Sequence, residues 1–295
     1  MGQGQGQGQG QERRPGRGRG QGRERGQGHG WEGAVLRLFR GRDFAFTVLG
    51  AEDVTEHYRR LHLSDGGMLA ATGVHPTMWV RLWFDNAGKP HQRAYTLVDP
   101  DPVAGTFSLE FALHAGCASD WARSAQPGDT IEATVQGTGF TDPDPVPSRV
   151  LAIADAASLP ALNSLLGAVG TAPATIWFET AGSGGPSGSR GSNGSGGSIG
   201  TTGRGAGGDA RGVDGLPLRV DPARHDLRTV PRLDRGAHLV AQVRAAVPEL
   251  LKETADPYVW IACDTATTRS LSAYFRKELA LPKQRVNALG YWRAA

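Results

Sequence analysis

The sequence predicts two domains in series, an antiparallel β-barrel followed by an α/β domain built on a parallel sheet, and three observations carry that reading. Apolar and polar residues alternate with period two from Phe44 to about Phe140. After the Pro-rich stretch Thr141 to Ser148 the period changes to short unbroken apolar runs separated by stretches of helical spacing. Of the 43 glycines, 12 fall within residues 1–30 and 15 within residues 182–215, which leaves the rest of the 295-residue chain with an ordinary glycine content.

Residues 1–30 alternate Gly with Gln and then Arg and hold almost no apolar side chain, so nothing offsets the ordering entropy and a disordered tail is expected. The barrel domain is placed at residues 39–143. Met78, Val80, Leu82 and Phe84 alternate with Trp79, Arg81 and Trp83, as Phe107, Leu109, Phe111 and Leu113 do with Ser108, Glu110 and Ala112. Turn clusters at Asp85 to Pro90 and Asp99 to Gly105 separate such runs. About six half-buried strands result, and curling them into a small barrel protects their edges.

The α/β domain is placed at residues 149–295. Its strands are read from Val150 to Ala154, Ala174 to Phe178 and Tyr258 to Ala262. Helical spacing links Leu159, Leu162, Leu166 and Val169, then Leu239, Val243, Val247 and Leu250, then Leu271, Phe275 and Leu279. Residues 182–215 interrupt this domain with the composition of a flexible Gly/Ser linker.

Net charge is +3, but residues 1–30 contribute +4 and residues 182–215 contribute +1, so the remaining chain stands at −2. A nucleic-acid-binding role for the folded part is therefore not indicated. No stretch reaches the roughly 18 apolar residues of a membrane span, and the first residues lack the apolar region of a secretory signal, so a cytoplasmic location is expected. Two cysteines without a CxxC motif, and eight histidines without ligand spacing, point to neither a disulfide framework nor a metal site.

The most informative string is Arg93-Ala94-Tyr95-Thr96. Residues two apart share a strand face, so Arg93 and Tyr95 together offer a cation for phosphate beside a flat ring for stacking, with the Thr96 hydroxyl adjacent. His114 ends the next strand, and Ser119 reads as the N-cap of a short helix reaching about Ala125, whose free N–H groups suit a pyrophosphate. In parallel sheets ligands bind beyond the carboxyl ends of the strands. That makes the residues following each apolar run the positions to inspect in the second domain.

The order of these motifs resembles a known family. RxYT, a strand ending in His114, ASxWA at Ala118 to Ala122, PGD at Pro127 to Asp129 and GxGF at Gly137 to Phe140 look like the flavin domain of siderophore-interacting proteins, ferric-siderophore reductases of the ferredoxin-NADP reductase superfamily. Asp155 to Ala161 resembles that family's GDETALPA turn, Trp260 to Asp264 its WVAGE strand end, and Gly290 to Arg293 its GYWR terminus. Departures occur at Val98, where the family continues RxYTxR, and at Ala154, Ala156 and Cys263-Asp264.

The resemblance implies an FAD-binding barrel and an NAD(P)H-binding α/β domain. Arg93 would pair with a flavin phosphate, Tyr95 would stack on the isoalloxazine, and Thr96 would hydrogen-bond near its N5. His114, Ala118 and Ser119 would complete the flavin side. Asp155, Ala157, Ser158, Cys263, Asp264 and Trp292 would line the NAD(P)H side, with Tyr291 adding aromatic surface near the flavin. Electrons would pass from NAD(P)H through FAD to a ferric siderophore, so that iron leaves its carrier. Reduction by ferredoxin, a flavin- or siderophore-binding module without turnover, and a nucleic-acid contact made by the Gly/Arg tail are the competing readings. If residues 182–215 are a linker, deleting residues 183 to 211 leaves folding and flavin content intact, as measured by circular dichroism and visible absorption.

Overall fold

The structure is a computed structural model and describes residues 43–181 and 213–293. The expected tail at residues 1–30, and all of the expected linker but its last three residues, lie outside the described residues. Those three, Val213–Gly215, form a single 3-10 turn.

Seven strands make the first sheet: β1 (Asp43–Thr55), β2 (Tyr58–Ser64), β3 (Trp79–Asn86), β4 (Lys89–Thr96), β5 (Val98–Asp101), β6 (Thr106–Ala112) and β7 (Thr130–Gly137). Their order is β4-β3-β7-β1-β2-β6-β5, antiparallel throughout. The ladder stays open, with β4 and β5 as its edges, so the barrel is a half-barrel rather than a hydrogen-bonded closure. Packing closes part of the gap, since the Tyr95 ring of β4 lies 4.3 Å from that of Phe111 on β6, centroid to centroid. Two short helices accompany the sheet, α1 (Met68–Thr72) and α2 (Cys117–Ser124).

The period-two pattern acts as expected on β3. Val80, Leu82 and Phe84 point into a core shared with Phe46, Leu61, Leu63, Leu109, Phe111, Ala133 and Val135. The β3–β4 hairpin turns on Ala87 and Gly88, both at positive φ (53° and 77°), which is what a two-residue loop matched to the strand twist demands.

The second sheet holds β8 (Arg149–Asp155), β9 (Ala174–Thr180), β10 (His225–Pro231), β11 (Pro257–Ala262) and β12 (Val286–Ala288), all parallel, in the order β10-β9-β8-β11-β12. Helices α3 (Leu159–Ala168), α4 (Ala237–Lys252) and α5 (Thr265–Ala273) complete this half. Val150, Ala152 and Ala154 of β8 pack with Leu159, Leu162 and Leu165 of α3. Leu151 and Ile153 pack on the other side with Leu239, Val243 and Val247 of α4. Both faces are thus covered, which is why this strand reads as an unbroken apolar run. Strands β10 and β12 lack such runs and escaped the sequence reading.

On β6 the polar positions Ser108 and Glu110 are buried as well, because that face meets the second half. Tyr58 of β2 sits in the apolar cluster of the parallel sheet while its hydroxyl donates to Glu110 Oε2 at 2.8 Å. Arg60 donates to Glu110 Oε1 from Nε at 3.0 Å and from Nη2 at 2.6 Å. Thr77 N–H donates to Ser164 Oγ of α3 at 2.8 Å, a further link between the halves. Tyr58→Phe leaves a buried carboxylate oxygen unmet and is expected to cost about 1–3 kcal/mol of stability, read as a lower denaturant midpoint.

Candidate functional site

The site has two sides. On the first, β4 pairs with β3 in a register that sets Tyr95 opposite Val80 and Arg93 opposite Leu82. Directly opposed residues share a face. Arg93 and Tyr95 therefore lie on one face of an edge strand, as the two-residue spacing predicts. The Arg93 guanidinium is exposed, donates to the neighbouring Gln92 carbonyl at 2.9 Å and has no carboxylate partner among the described residues. The Tyr95 ring is half-buried against Phe111 and Phe84, and burial pushes its phenol above the ordinary value. Thr96 is buried, within hydrogen-bonding reach of the Tyr291 phenol, which burial pushes up to about 12.

Helix α2 supplies donors. It begins three residues earlier than expected: Gly116, at φ 142°, is its N-cap, and Ser119 lies inside the first turn instead of capping it. The Ser119 hydroxyl accepts from the His114 N–H at 3.1 Å and so ties the strand end to the helix. The imidazole of His114 is exposed, its Nδ1 2.7 Å from the Ala115 carbonyl oxygen. Asp120 is the first residue of the helix whose N–H returns to the backbone, to Gly116 at 2.9 Å. The N–H groups of Cys117, Ala118 and Ser119 consequently have no partner within the helix. Tyr95, Phe111, Phe84 and Trp121 form one aromatic cluster joining the edge strand to this helix. A groove of about 780 Å³ runs past Gly116, Cys117 and Trp121 to Trp83.

A guanidinium with no carboxylate partner among the described residues, a flat half-buried ring, a hydroxyl and three N–H groups with no partner within their helix form a set that fits a phosphate-bearing aromatic group such as FAD. Val98, where the resembled motif has Arg, is buried in β5 and adds no cation.

The second side lies at the carboxyl ends of the parallel strands. Asp155 ends β8, buried; its Oδ1 accepts from Ala157 N–H at 3.0 Å and Ser158 N–H at 3.2 Å, and its Oδ2 accepts from Trp292 Nε1 at 2.7 Å. Burial raises this carboxyl to about 6, against the pull of those hydrogen bonds. Ser158 folds back onto the Asp155 backbone, accepting from its N–H at 3.0 Å. Asp264 caps α5: its carboxylate accepts from Ala266 N–H at 2.9 Å, Thr267 N–H at 3.1 Å and the Thr267 hydroxyl at 2.6 Å. Burial pushes its carboxyl up, yet those bonds and Arg232 prevail and hold it below the usual carboxylate range.

The Cys263 side chain does not line the crevice. It is fully buried in the core beneath α4 and α5, and burial together with the surrounding carboxylates pushes its thiol well up. Its carbonyl accepts from Tyr291 N–H at 2.9 Å. Trp292 is fastened three more ways: its carbonyl accepts from Thr265 N–H at 2.8 Å and from the Thr265 hydroxyl at 2.9 Å, and its indole lies 4.7 Å from the Arg232 guanidinium. The structure thus brings Asp155, Ala157, Ser158, Asp264 and Trp292 together at the strand ends, and Arg93, Tyr95 and Thr96 together on β4.

Two residues of the second side escaped the sequence reading. Glu179, near the end of β9, and Arg232, just past β10, form an ion pair, and Arg232 also reaches Asp264 Oδ2 at 3.2 Å. Glu179 follows directly on the apolar run Ala174 to Phe178, so the rule that ligands bind beyond strand ends covers it, although the family resemblance did not point to it. Arg232 follows a strand of sequence HDLRTVP, whose pattern gives no strand signal. Among the described residues no group of three or more His, Cys, Asp or Glu side chains is placed to hold a metal ion, and no helix is long and apolar enough to cross a membrane.

Comparison with known proteins bears on this geometry. Residues 42–137 match the siderophore-interacting FAD-binding domain and residues 214–295 match the siderophore-interacting protein family, together more than half of the chain. The chain belongs to the siderophore-interacting protein family. Among curated relatives, the mycobactin import ATP-binding/permease protein IrtA of Mycolicibacterium thermoresistibile is 30% identical over 273 residues, covering 89% of this chain and 26% of that protein. Its counterpart from Mycolicibacterium smegmatis is 40% identical over 146 residues, 48% of this chain and 17% of that protein. The chain therefore spans about a quarter or less of the length of these two relatives. The siderophore-interacting protein SipS from Aeromonas hydrophila superposes with a TM-score of 0.65 at 19% identity, covering 86% of this chain and 93% of that one. A ferredoxin NADP+ reductase from Neisseria gonorrhoeae, solved with bound FAD and NADP, superposes at 0.52 with 15% identity, covering 83% and 96%. These likenesses establish the two-domain reductase-like fold.

The raised Asp155 carboxyl has a measurable consequence. Because the folded state holds this proton more tightly than the unfolded state, its contribution makes stability fall as pH rises from about 4 to about 6. The indole bonded to it reports the change. The difference in emission between the wild type and Trp292→Phe should titrate with a midpoint near pH 6, and Asp155→Asn should abolish that titration.

Proposed function

We propose that this chain is an FAD-dependent ferric-siderophore reductase that takes electrons from NAD(P)H, with the barrel domain at residues 39–143, the nucleotide domain at residues 149–295, and a cytoplasmic location. The observation that carries the reading is the row Arg93, Tyr95 and Thr96 on an edge strand, joined through one aromatic cluster to the unpaired N–H groups of α2.

Each residue has a task. Arg93, with no carboxylate partner among the described residues, neutralises a phosphate; the N–H groups of Cys117, Ala118 and Ser119 hold the pyrophosphate; Tyr95 offers its ring face; and Thr96 places a hydroxyl at the seam between the halves. His114 positions Ser119 through its backbone, and its exposed ring stands at the same strand end. Bound there, FAD supplies the exchange between a two-electron donor and a one-electron acceptor. The protein's contribution is position and electrostatics. Asp155, Ala157, Ser158, Asp264 and Trp292 form the nucleotide side, with Tyr291 linking it to Thr96. The ferric siderophore is the acceptor, its iron arriving already chelated.

A second reading, in which reduced ferredoxin delivers the electrons, draws on one observation: Trp292 and Arg232 lie across the strand ends where a nucleotide would enter.

A visible absorption spectrum of the purified protein, before and after anaerobic NADPH or NADH, tests both readings. A yellow protein bleached by a pyridine nucleotide supports the first, and one bleached only by reduced ferredoxin supports the second. A protein that binds no flavin on reconstitution overturns both. Arg93→Ala is expected to weaken flavin retention by about 1.5–3 kcal/mol, roughly tenfold to a hundredfold in Kd. An unchanged Kd would show that Arg93 holds no phosphate.

A further inference from the structure

Four charged side chains crowd the carboxyl ends of the parallel strands, and three of them are acids. Asp155, Glu179 and Asp264 are each at most 5% exposed, and Arg232 is the cation paired with two of them. The acids differ in what they have left to offer. Both oxygens of Asp155 are taken, by Trp292 and by the backbone of Ala157 and Ser158. Those of Asp264 are taken by the first turn of α5 and by Arg232. Glu179 receives Arg232 at Oε2, whereas its Oε1 is buried with no partner, the one such carboxylate oxygen among the described residues. A buried acceptor without a donor is an exception that calls for a ligand or another explanation.

Its place in the fold suggests the donor. Glu179 lies at the end of the second strand of the parallel sheet in chain order, beside Asp155 on the first. In sheets of this kind an acid at that position accepts from the ribose hydroxyl of NAD, while a nearby arginine makes room for the 2′-phosphate of NADP. Here the nearby arginine is already spent on two carboxylates and stacked on Trp292. A 2′-phosphate would have to compete with both ion pairs and would come to rest among three buried acids.

We propose that Glu179 selects the unphosphorylated dinucleotide, NADH over NADPH, by accepting a hydroxyl of the adenosine ribose at Oε1. This rests on the reading above that the donor is a pyridine nucleotide. Reaching Oε1 requires a side-chain rearrangement on binding, a change of the ordinary size at recognition sites.

Binding of ADP-ribose, and of ADP-ribose carrying a 2′-phosphate, to the flavin-loaded full chain by calorimetry tests the proposal without any turnover. ADP-ribose is expected to bind about tenfold or more tighter, as a charge-assisted contact on one side and repulsion on the other imply. Glu179→Gln keeps the shape but removes the charge and releases Arg232, so the ratio should narrow to about threefold or less, chiefly through a gain by the 2′-phosphorylated probe. Should that variant not fold, the wild-type ratio decides alone. Equal or tighter binding of the 2′-phosphorylated probe overturns the proposal, and if NADPH still bleaches the flavin the reductase reading survives it. If neither probe binds at millimolar concentration the proposal falls, and a flavin bleached by reduced ferredoxin alone then removes the nucleotide-donor reading as well.

Discussion

Tyr58 belongs to both halves of the molecule. Its ring is packed among the apolar side chains of the parallel-sheet half, and its hydroxyl is held by Glu110, which is also held by Arg60. A carboxylate buried with a phenol and a guanidinium on its two oxygens tolerates little movement, because losing either partner strands a charge away from water. The relative placement of the two sheets is therefore set by a satisfied polar knot as well as by apolar contact. The site depends on that placement: Thr96 comes from the edge of one sheet and Tyr291 from the chain end laid over the other, and they approach only because the sheets are fastened elsewhere.

The fastening also explains where sequence patterning misleads. Alternation on β6 places Ser108 and Glu110 on the solvent side, yet both are buried, because the face opposite the half-barrel core meets another domain. Period two reports which residues share a face and is silent on what covers that face. The same limit applies to β10 and β12, whose residues follow no apolar run and whose strand character comes from the neighbours they pair with. The fold class was legible because β3, β8, β9 and β11 carry strong and different periods. The half-barrel's open edge was not, since closure depends on long-range pairing between β4 and β5.

Of the site, the barrel side was the more legible. Arg93 and Tyr95 are tied by a spacing of two on one strand, and local geometry alone puts them on one face. Ser119 does not take the capping place its sequence position suggests: Gly116 caps the helix, and the Ser119 hydroxyl holds the end of β6's chain at His114. Asp264, expected on the nucleotide side, spends most of its capacity on the first turn of α5. Glu179 and Arg232 form a pair across 53 residues of chain, a separation that no local pattern encodes.

The two sides of the site differ in sign, and that difference constrains how ligands can share it. The barrel side presents donors: a guanidinium without a counter-charge among the described residues and three N–H groups at a helix start. The strand-end side presents acceptors, three buried carboxylates to one arginine, with Trp292 stacked over that arginine. A phosphate thus finds its donors on the first side, whereas the buried acids of the second suit hydroxyl donors. The Tyr291–Trp292 segment joins the two sides, with Tyr291 within reach of Thr96 and Trp292 bonded to Asp155, both of them buried. Such a seam sets aromatic surface between a side rich in donors and a side rich in acids.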